Sequence, residues 1–395
     1  MQDRQKLFIA SCFALVVTSL SFGIRAGILN DLQDQFQLSS SEIGAITATA
    51  FWGFPISMII GGMLVDRLGM KPLLYLAFVL HLGGILWTIW AKGYIDLFVS
   101  TLMIGLGNGL VEAVCNPLVA AAYPEKKTTK LNHFHLWFPG GIVLGTLIGF
   151  FFDSLGWGWQ IQVGSMLLPL VIYGYLVRIA QFPATERVRS GVSERSMYAN
   201  LFQPLFLFML ICMLGTAITE LFTGQYIEVL LGSVSENALL ILFISAGVMT
   251  LGRGLAGSVV GALKPTGVLL LSAILSTLGL YMLATQDGTM LFVSAAVFGL
   301  GVTFFWPTMI GFVAENIPKT GAVGMSVLGA AGMFAVSIYM QAMGGYYEGL
   351  VGDMKIENID MEAGRTILRT TLYIPIALSI AFTGLYLFMR NRKTT

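Results

Sequence analysis

Charge is scarce in this 395-residue sequence. Asp, Glu, Lys and Arg make up 11% of it, against about 25% in a soluble domain. That scarcity excludes a soluble globular enzyme and a disordered scaffold. The net charge is +1, so no global field points to a polyanion, and a nucleic-acid partner is excluded. Cysteine is equally sparse. Cys12, Cys115 and Cys212 all lie in apolar runs, without metal-ligand spacing or a disulfide framework. Of the three histidines, His133 and His135 are two apart and would point away from each other on a helix, so they make no metal pair. His81 stands alone in an apolar run, the setting of a structural histidine. There is no Gly-Lys-Ser/Thr phosphate loop, no nucleophile elbow and no long ATP-binding domain. The expectation is therefore neither an enzyme nor an ATP-driven pump, with no cofactor and no metal. Gly105-x-Gly107-x-Gly109 reads as a helix-packing stripe, not a dinucleotide loop.

What is abundant is apolar. Hydrophobic residues make up 56%, with 46 glycines, and mean hydropathy is +0.80. A bilayer-crossing helix needs about 20 apolar residues. Twelve such runs occur, at 7–30, 42–64, 72–91, 97–122, 131–152, 159–181, 201–228, 236–262, 265–285, 289–314, 320–346 and 367–389. They are continuous rather than alternating, which excludes a membrane barrel. The first is too long for a cleavable signal and has no small-residue cleavage site after it. Basic residues gather on one side: Arg4, Lys6, Arg67, Lys71, Lys126, Lys127, Lys130, Arg187, Arg189, Arg195, Lys264, Lys319, Arg390, Arg392 and Lys393. That side is expected to be cytoplasmic and to hold both termini, in the cell inner membrane. Trp87, Trp90, Trp157 and Trp159 fall near the opposite span ends, as an interfacial belt would.

The runs divide into two halves. Residues 183–200 are polar and read as a cytoplasmic linker between an N-terminal six-helix bundle (1–182) and a C-terminal one (201–395). An internal repeat supports the division. Ser41-Glu42 recurs as Ser235-Glu236, and Gly105-Leu106-Gly107 recurs as Gly299-Leu300-Gly301, both at an offset of 194. The predicted fold class is an all-α integral membrane protein of 12 transmembrane helices in two pseudo-symmetric six-helix bundles. Parallel halves of this kind place a transport site between them near the bilayer midplane.

The end of the second run, Gly62-Met63-Leu64-Val65-Asp66-Arg67-Leu68-Gly69-Met70-Lys71, resembles the signature loop of the major facilitator superfamily. In that family's pattern Gly62, Asp66, Arg67, Gly69 and Lys71 form a cytoplasmic gate motif. A second copy near Arg253 to Leu263 lacks the Asp-Arg pair. Glu112-Ala113-Val114-Cys115-Asn116-Pro117 resembles the Glu-x-x-x-Asn-Pro segment of the fucose permease and related sugar:proton symporters, in which the glutamate belongs to the proton-coupled sugar site. Leu131-Asn132-His133-Phe134-His135 resembles the start of span 5 in the same group. Phe22-Gly23-Ile24-Arg25 resembles a span-1 arginine of some organic-anion carriers. The resemblance implies a secondary transporter working by alternating access. Proton-coupled uptake of a small sugar leads, and an organic-anion carrier or a drug efflux antiporter are the alternatives.

Ionisable groups inside the bilayer cost about 2.5–3.5 kcal/mol each, which makes them candidate functional residues. Arg25, Glu112 and Glu220 stand out. Glu112 lies about 15 Å from the basic end of its run at 1.5 Å per residue. A carboxyl that takes a proton in one state and a sugar hydroxyl in another couples two fluxes. Asn116 lies one turn away on the same face. Arg25 and Glu220 sit at similar depth in repeat-related runs, which suggests a pair facing each other across a cavity, as gate, glue or cargo contact. A histidine side chain ordinarily titrates near neutral pH, so His135 could relay protons. Proton-coupling candidates are thus Glu112, Glu220 and His135. Substrate-binding candidates are Arg25, Asn116 and the intramembrane aromatics and amides suited to a sugar: Trp52, Trp137, Trp306, Gln225, Tyr226 and Gln341. Trp306 is the repeat equivalent of Glu112. Pro117 and Pro307 are expected to kink or end their helices. The expected partners are a small-molecule substrate, a coupling proton (sodium would suit the same oxygen ligands) and the lipid bilayer, with the protein acting as a monomer.

Overall fold

A computed structural model describes residues 2–224, 238–353 and 359–391. Every element in the described residues is helical. Eleven helices are long and apolar enough to cross a membrane, and a shorter apolar helix, Leu240–Gly254, falls in the eighth run. Spans 1–4 are Gln2–Phe36, Ser40–Leu68, Met70–Ile89 and Tyr94–Ala122. Span 5 is Lys127–His135 continued as Trp137–Ser154, and span 6 is Trp159–Gly164 continued as Leu167–Ile179. Two short helices, Glu186–Arg189 and Glu194–Asn200, lie in the linker.

Span 7 starts as Pro204–Ala217 and then widens into a π-helical turn, Ile218–Phe222. Span 8 begins with Ala238–Gly254. Helix Ala256–Thr285 holds the end of span 8 and all of span 9, because the chain reverses at Lys264 (φ 59°) just before Pro265. Proline disfavours helix at the residue before it, so the boundary between runs 236–262 and 265–285 falls where the sequence places it. Span 10 is broken into Met290–Val302 and Phe305–Asn316. Spans 11 and 12 are Gly321–Asp353 and Ile359–Asn391.

Two units pack separately. One comprises residues 1–206 together with 313–330, the other 207–312 together with 331–395. Residues 313–330 lie in the C-terminal half of the sequence, yet they pack with the first unit. Inside each unit the repeated glycines do the same work. A Cβ on Gly105 would sit 3.0 Å from the Thr49 carbonyl of span 2, and one on Gly107 would strike the His81 ring of span 3. In the second unit, a Cβ on Gly299 would sit 2.7 Å from the Ser245 carbonyl of span 8, and one on Gly301 would strike Ser276 of span 9. Glycine at these positions lets neighbouring backbones touch, the usual packing device where no water drives helices together. The 194-residue repeat is therefore a repeat of contacts as well as of letters.

Candidate functional site

Span 4 carries a row of buried polar side chains in the first unit. Asn108, Glu112 and Asn116 follow at four-residue intervals, so they share one helix face, and all are buried. Asn116 Nδ2 donates to Glu112 Oε2 at 2.6 Å. That fixes the amide's orientation, so its Oδ1 accepts from His135 Nε2–H at 3.0 Å. His135 Nδ1 then stands 3.7 Å from Glu112 Oε1. Three of the residues named from the sequence as coupling and binding groups, Glu112, Asn116 and His135, thus form one cluster.

With Nε2–H committed to Asn116, a proton held by either the imidazole Nδ1 or the carboxyl would face the other group across this 3.7 Å edge. Both placements leave the cluster neutral overall. Removing that proton leaves a buried negative charge facing a nitrogen lone pair, which is costly in a dry interior.

A second chain runs one turn away. His81 Nε2 meets Asn108 Oδ1 at 2.9 Å, and Asn108 Nδ2 donates to Ser21 Oγ at 3.0 Å. Ser21 Oγ in turn donates to the Thr18 carbonyl at 2.6 Å. Tyr173 OH lies 3.3 Å from His81 Nδ1. Read in one direction, from Tyr173 through a neutral His81, each donor meets an acceptor, the pattern of a structural histidine. Asn108 and Ser21 were not singled out from the sequence. The available signal was the four-residue spacing from Glu112.

The Asn108–Ser21 bond also sets relative depth. Spans 1 and 4 run antiparallel. Arg25 is one turn beyond Ser21 and Glu112 one turn beyond Asn108 in the opposite direction, so their Cα atoms differ by about 12 Å along the axis. Helical side chains lean toward the N-terminus, which tilts these two toward each other. Arg25 accordingly lies back over the Phe22 ring, 5.1 Å from its centroid. Phe22 also meets Phe51 and Phe138 edge-on or tilted. Arg25 is half-buried and has no ion-pair partner among the described residues.

The other candidates spread out. Glu220, paired with Arg25 in the sequence reading, forms its ion pair within the second unit instead, with Arg253 Nη2 at 2.7 Å. The reason is local: span 8 follows span 7, and its buried arginine supplies the counter-charge close at hand. In the sequence Arg253 stands at the start of the degraded second copy of the motif, with nothing to mark it as the partner of Glu220. Trp306 is buried at 6% exposure, whereas Trp52 and Trp137 are each 38% exposed. Gln341 is exposed. Gln225 and Tyr226 lie outside the described residues.

The Gly62–Lys71 motif engages the linker. Asp66 accepts from Thr185 Oγ1 and Arg187 Nε. Arg67 forks onto Glu194 at 3.1 and 2.8 Å. Lys71 Nζ caps the end of span 6 through the carbonyls of Arg178 and Ala180, at 3.0 and 3.1 Å. Gly69 makes the turn at φ 87°, and a Cβ on Gly62 would strike Ser326 of span 11. Nearby, Lys127 pairs with Glu186 at 2.7 Å and donates to the Ala314 carbonyl at 3.0 Å.

The family model of the Major Facilitator Superfamily matches residues 11–393. This chain belongs to that superfamily. Members of that superfamily are membrane transporters, not enzymes. The chain is 24% identical over 151 residues to a D-xylose transporter of Levilactobacillus brevis, covering 38% of this chain and 33% of that one. It is 26% identical over 154 residues to a probable chloroplastic anion transporter of Arabidopsis thaliana, covering 37% and 28%. The chain thus matches about a third of the length of these relatives. Its fold matches a solved structure of the E. coli fucose:proton symporter with a TM-score of 0.72 at 16% identity, over 94% of this chain and 98% of the other.

Proposed function

We propose that this transporter takes up a small sugar together with a proton by alternating access, in the cell inner membrane with both termini cytoplasmic. The observation that carries the reading is the Glu112–Asn116–His135 cluster, whose edge accommodates one proton. A sugar hydroxyl can replace either partner of that edge, which ties cargo to proton. The D-xylose and fucose transporters named above support the sugar class. The motif's contacts with Thr185, Arg187 and Glu194 act as a latch on the basic side, made and released in each cycle.

The test is uptake into proteoliposomes from a panel of D-xylose, D-galactose and L-fucose. One of these should accumulate under an inward proton gradient. Glu112→Gln should abolish accumulation while sparing exchange of labelled for unlabelled sugar. Unchanged accumulation in that variant would overturn the reading.

Arg25 favours a second reading, an organic-anion carrier. A half-buried guanidinium with no ion-pair partner among the described residues suits a carboxylate cargo, and an anion transporter is among the relatives. Thermal stabilisation by small carboxylates, lost in Arg25→Gln, would move the assignment there.

A further inference from the structure

Buried polar groups of the second unit converge on the break in span 10. The helix stops at Val302 and resumes at Phe305. Pro307 accounts for the interruption. In an unbroken helix the Thr303 carbonyl would accept from the N–H of residue 307, which proline lacks. Arg253 fills the vacancy: its Nε donates to that carbonyl at 2.7 Å. The same guanidinium donates through Nη2 to Glu220 Oε1 at 2.7 Å. Glu220 Oε2, in turn, accepts the Trp306 backbone N–H at 3.2 Å. One ion pair thus serves the acceptor on one side of the break and a donor on the other.

Local structure prepares both partners. Arg253 is 1% and Glu220 5% exposed. Glu220 sits in the middle of the π-helical turn of span 7, and such turns recur at functional sites. Gly252, beside Arg253, lets span 8 come close: a Cβ there would lie 2.8 Å from Thr303 Cγ2. The Thr303 hydroxyl turns back to the Gly299 carbonyl at 2.6 Å, leaving the Thr303 carbonyl to Arg253. On the far side of the break, the Trp306 ring packs onto span 11, where a Cβ on Gly332 would lie 3.1 Å from its Cζ3.

We propose that Arg253 and Glu220 form a clasp across the break, Arg253 replacing the backbone bond lost at Pro307 and Glu220 holding the Trp306 N–H, with Arg253 the positioning residue for Trp306 and for the bend of span 10. A simple ion pair would balance two charges and take no account of the proline. The clasp makes Arg253 and Pro307 interdependent.

The experiment is a double-mutant cycle in nanodiscs, read by melting temperature and by hydrogen exchange of the amides of residues 303–306 and 308. Arg253→Lys keeps the charge but cannot serve two acceptors with a planar fork. It should speed exchange there by about tenfold, the scale of a lost local bond. Pro307→Ala supplies the missing N–H to Thr303, so in that background Arg253→Lys should change exchange little. Equal effects in both backgrounds would overturn the clasp and leave an ordinary ion pair. Should Arg253→Lys not fold, Arg253→Met with Glu220→Leu removes both charges together and avoids a stranded one. Faster exchange at these amides in that variant, restored by Pro307→Ala, supports the clasp. Unchanged or unrestored exchange overturns it.

Discussion

His135 Nδ1 and Glu112 Oε1 face each other at 3.7 Å while Asn116 holds the opposite edge of the imidazole. His135→Gln should remove the titratable half of this edge. Gradient-driven uptake should fall by at least about tenfold, the scale of lost acid–base function being larger still. The pH dependence of uptake should flatten as well. Uptake measured from pH 5.5 to 8 checks both, and a wild-type profile in the variant would remove His135 from the coupling cluster.

His81 and Asn116 should separate structural from functional polarity. His81→Leu strands Asn108 and Tyr173 and should cost about 1–3 kcal/mol of stability, with proton coupling retained in whatever folds. Asn116→Leu strands Glu112 and His135 and should cost a similar amount, with coupling lost. Melting temperature and gradient-driven uptake, measured on both variants, distinguish the two roles.

The two acid–base pairs of the motif differ in burial. The side chains of Asp66 and Arg187 are 3% and 10% exposed, those of Arg67 and Glu194 60% and 42%. Asp66→Ala leaves a nearly buried guanidinium without its partner and should cost about 3 kcal/mol. Arg67→Ala should leave the melting temperature almost unchanged.

Glu194 adds a pH signature. Its bond to Arg67 holds the carboxyl below its usual range. A folded-state value below the unfolded one gives stability that is present above the unfolded value, about 4.3. That stability is lost as pH falls through the folded value. The wild-type melting temperature should therefore drop more steeply below about pH 4 than that of Arg67→Ala. Parallel acid limbs would dismiss the contribution.

Glycine positions give a steric test. A Cβ at Gly109 would strike the Phe54 carbonyl, and none of the atoms around Gly27 lies within 4 Å of a Cβ there. Gly109→Ala should cost about 1–3 kcal/mol by overpacking, and Gly27→Ala should be neutral or stabilising. Thermal melts of the two variants compare them directly.

Much of the fold is legible in the sequence because a bilayer demands long apolar helices and marks their ends. The reversal at Lys264 falls between the eighth and ninth runs, and the shared offset of Gly105 and Gly299 reappears as matching backbone contacts. The Glu112, Asn116 and His135 cluster was legible for a local reason: two of its members are one turn apart on a single helix. Glu220 shows where such reading stops. Depth along the chain put it level with Arg25, but partner choice depends on helix rotation, which a π-helical turn alters and hydropathy does not record. Trp306, repeat-equivalent to Glu112, is buried within its own unit, just after span 10 is interrupted between Val302 and Phe305, whereas span 4 runs through Pro117 unbroken.

Gly105 and Gly107 hold span 4 against the Thr49 carbonyl on one side and the His81 ring on the other. A helix wedged between two neighbours in this way has one angular setting. Rolling it by a single residue, about 100°, would turn Asn108, Glu112 and Asn116 together out of reach of Ser21 and His135. The aim of these buried polar groups is thus stored in residues with no side chain at all. Variants at 105 or 107 should therefore behave like lesions of the cluster itself, although neither position carries a group that could bind a proton or a sugar.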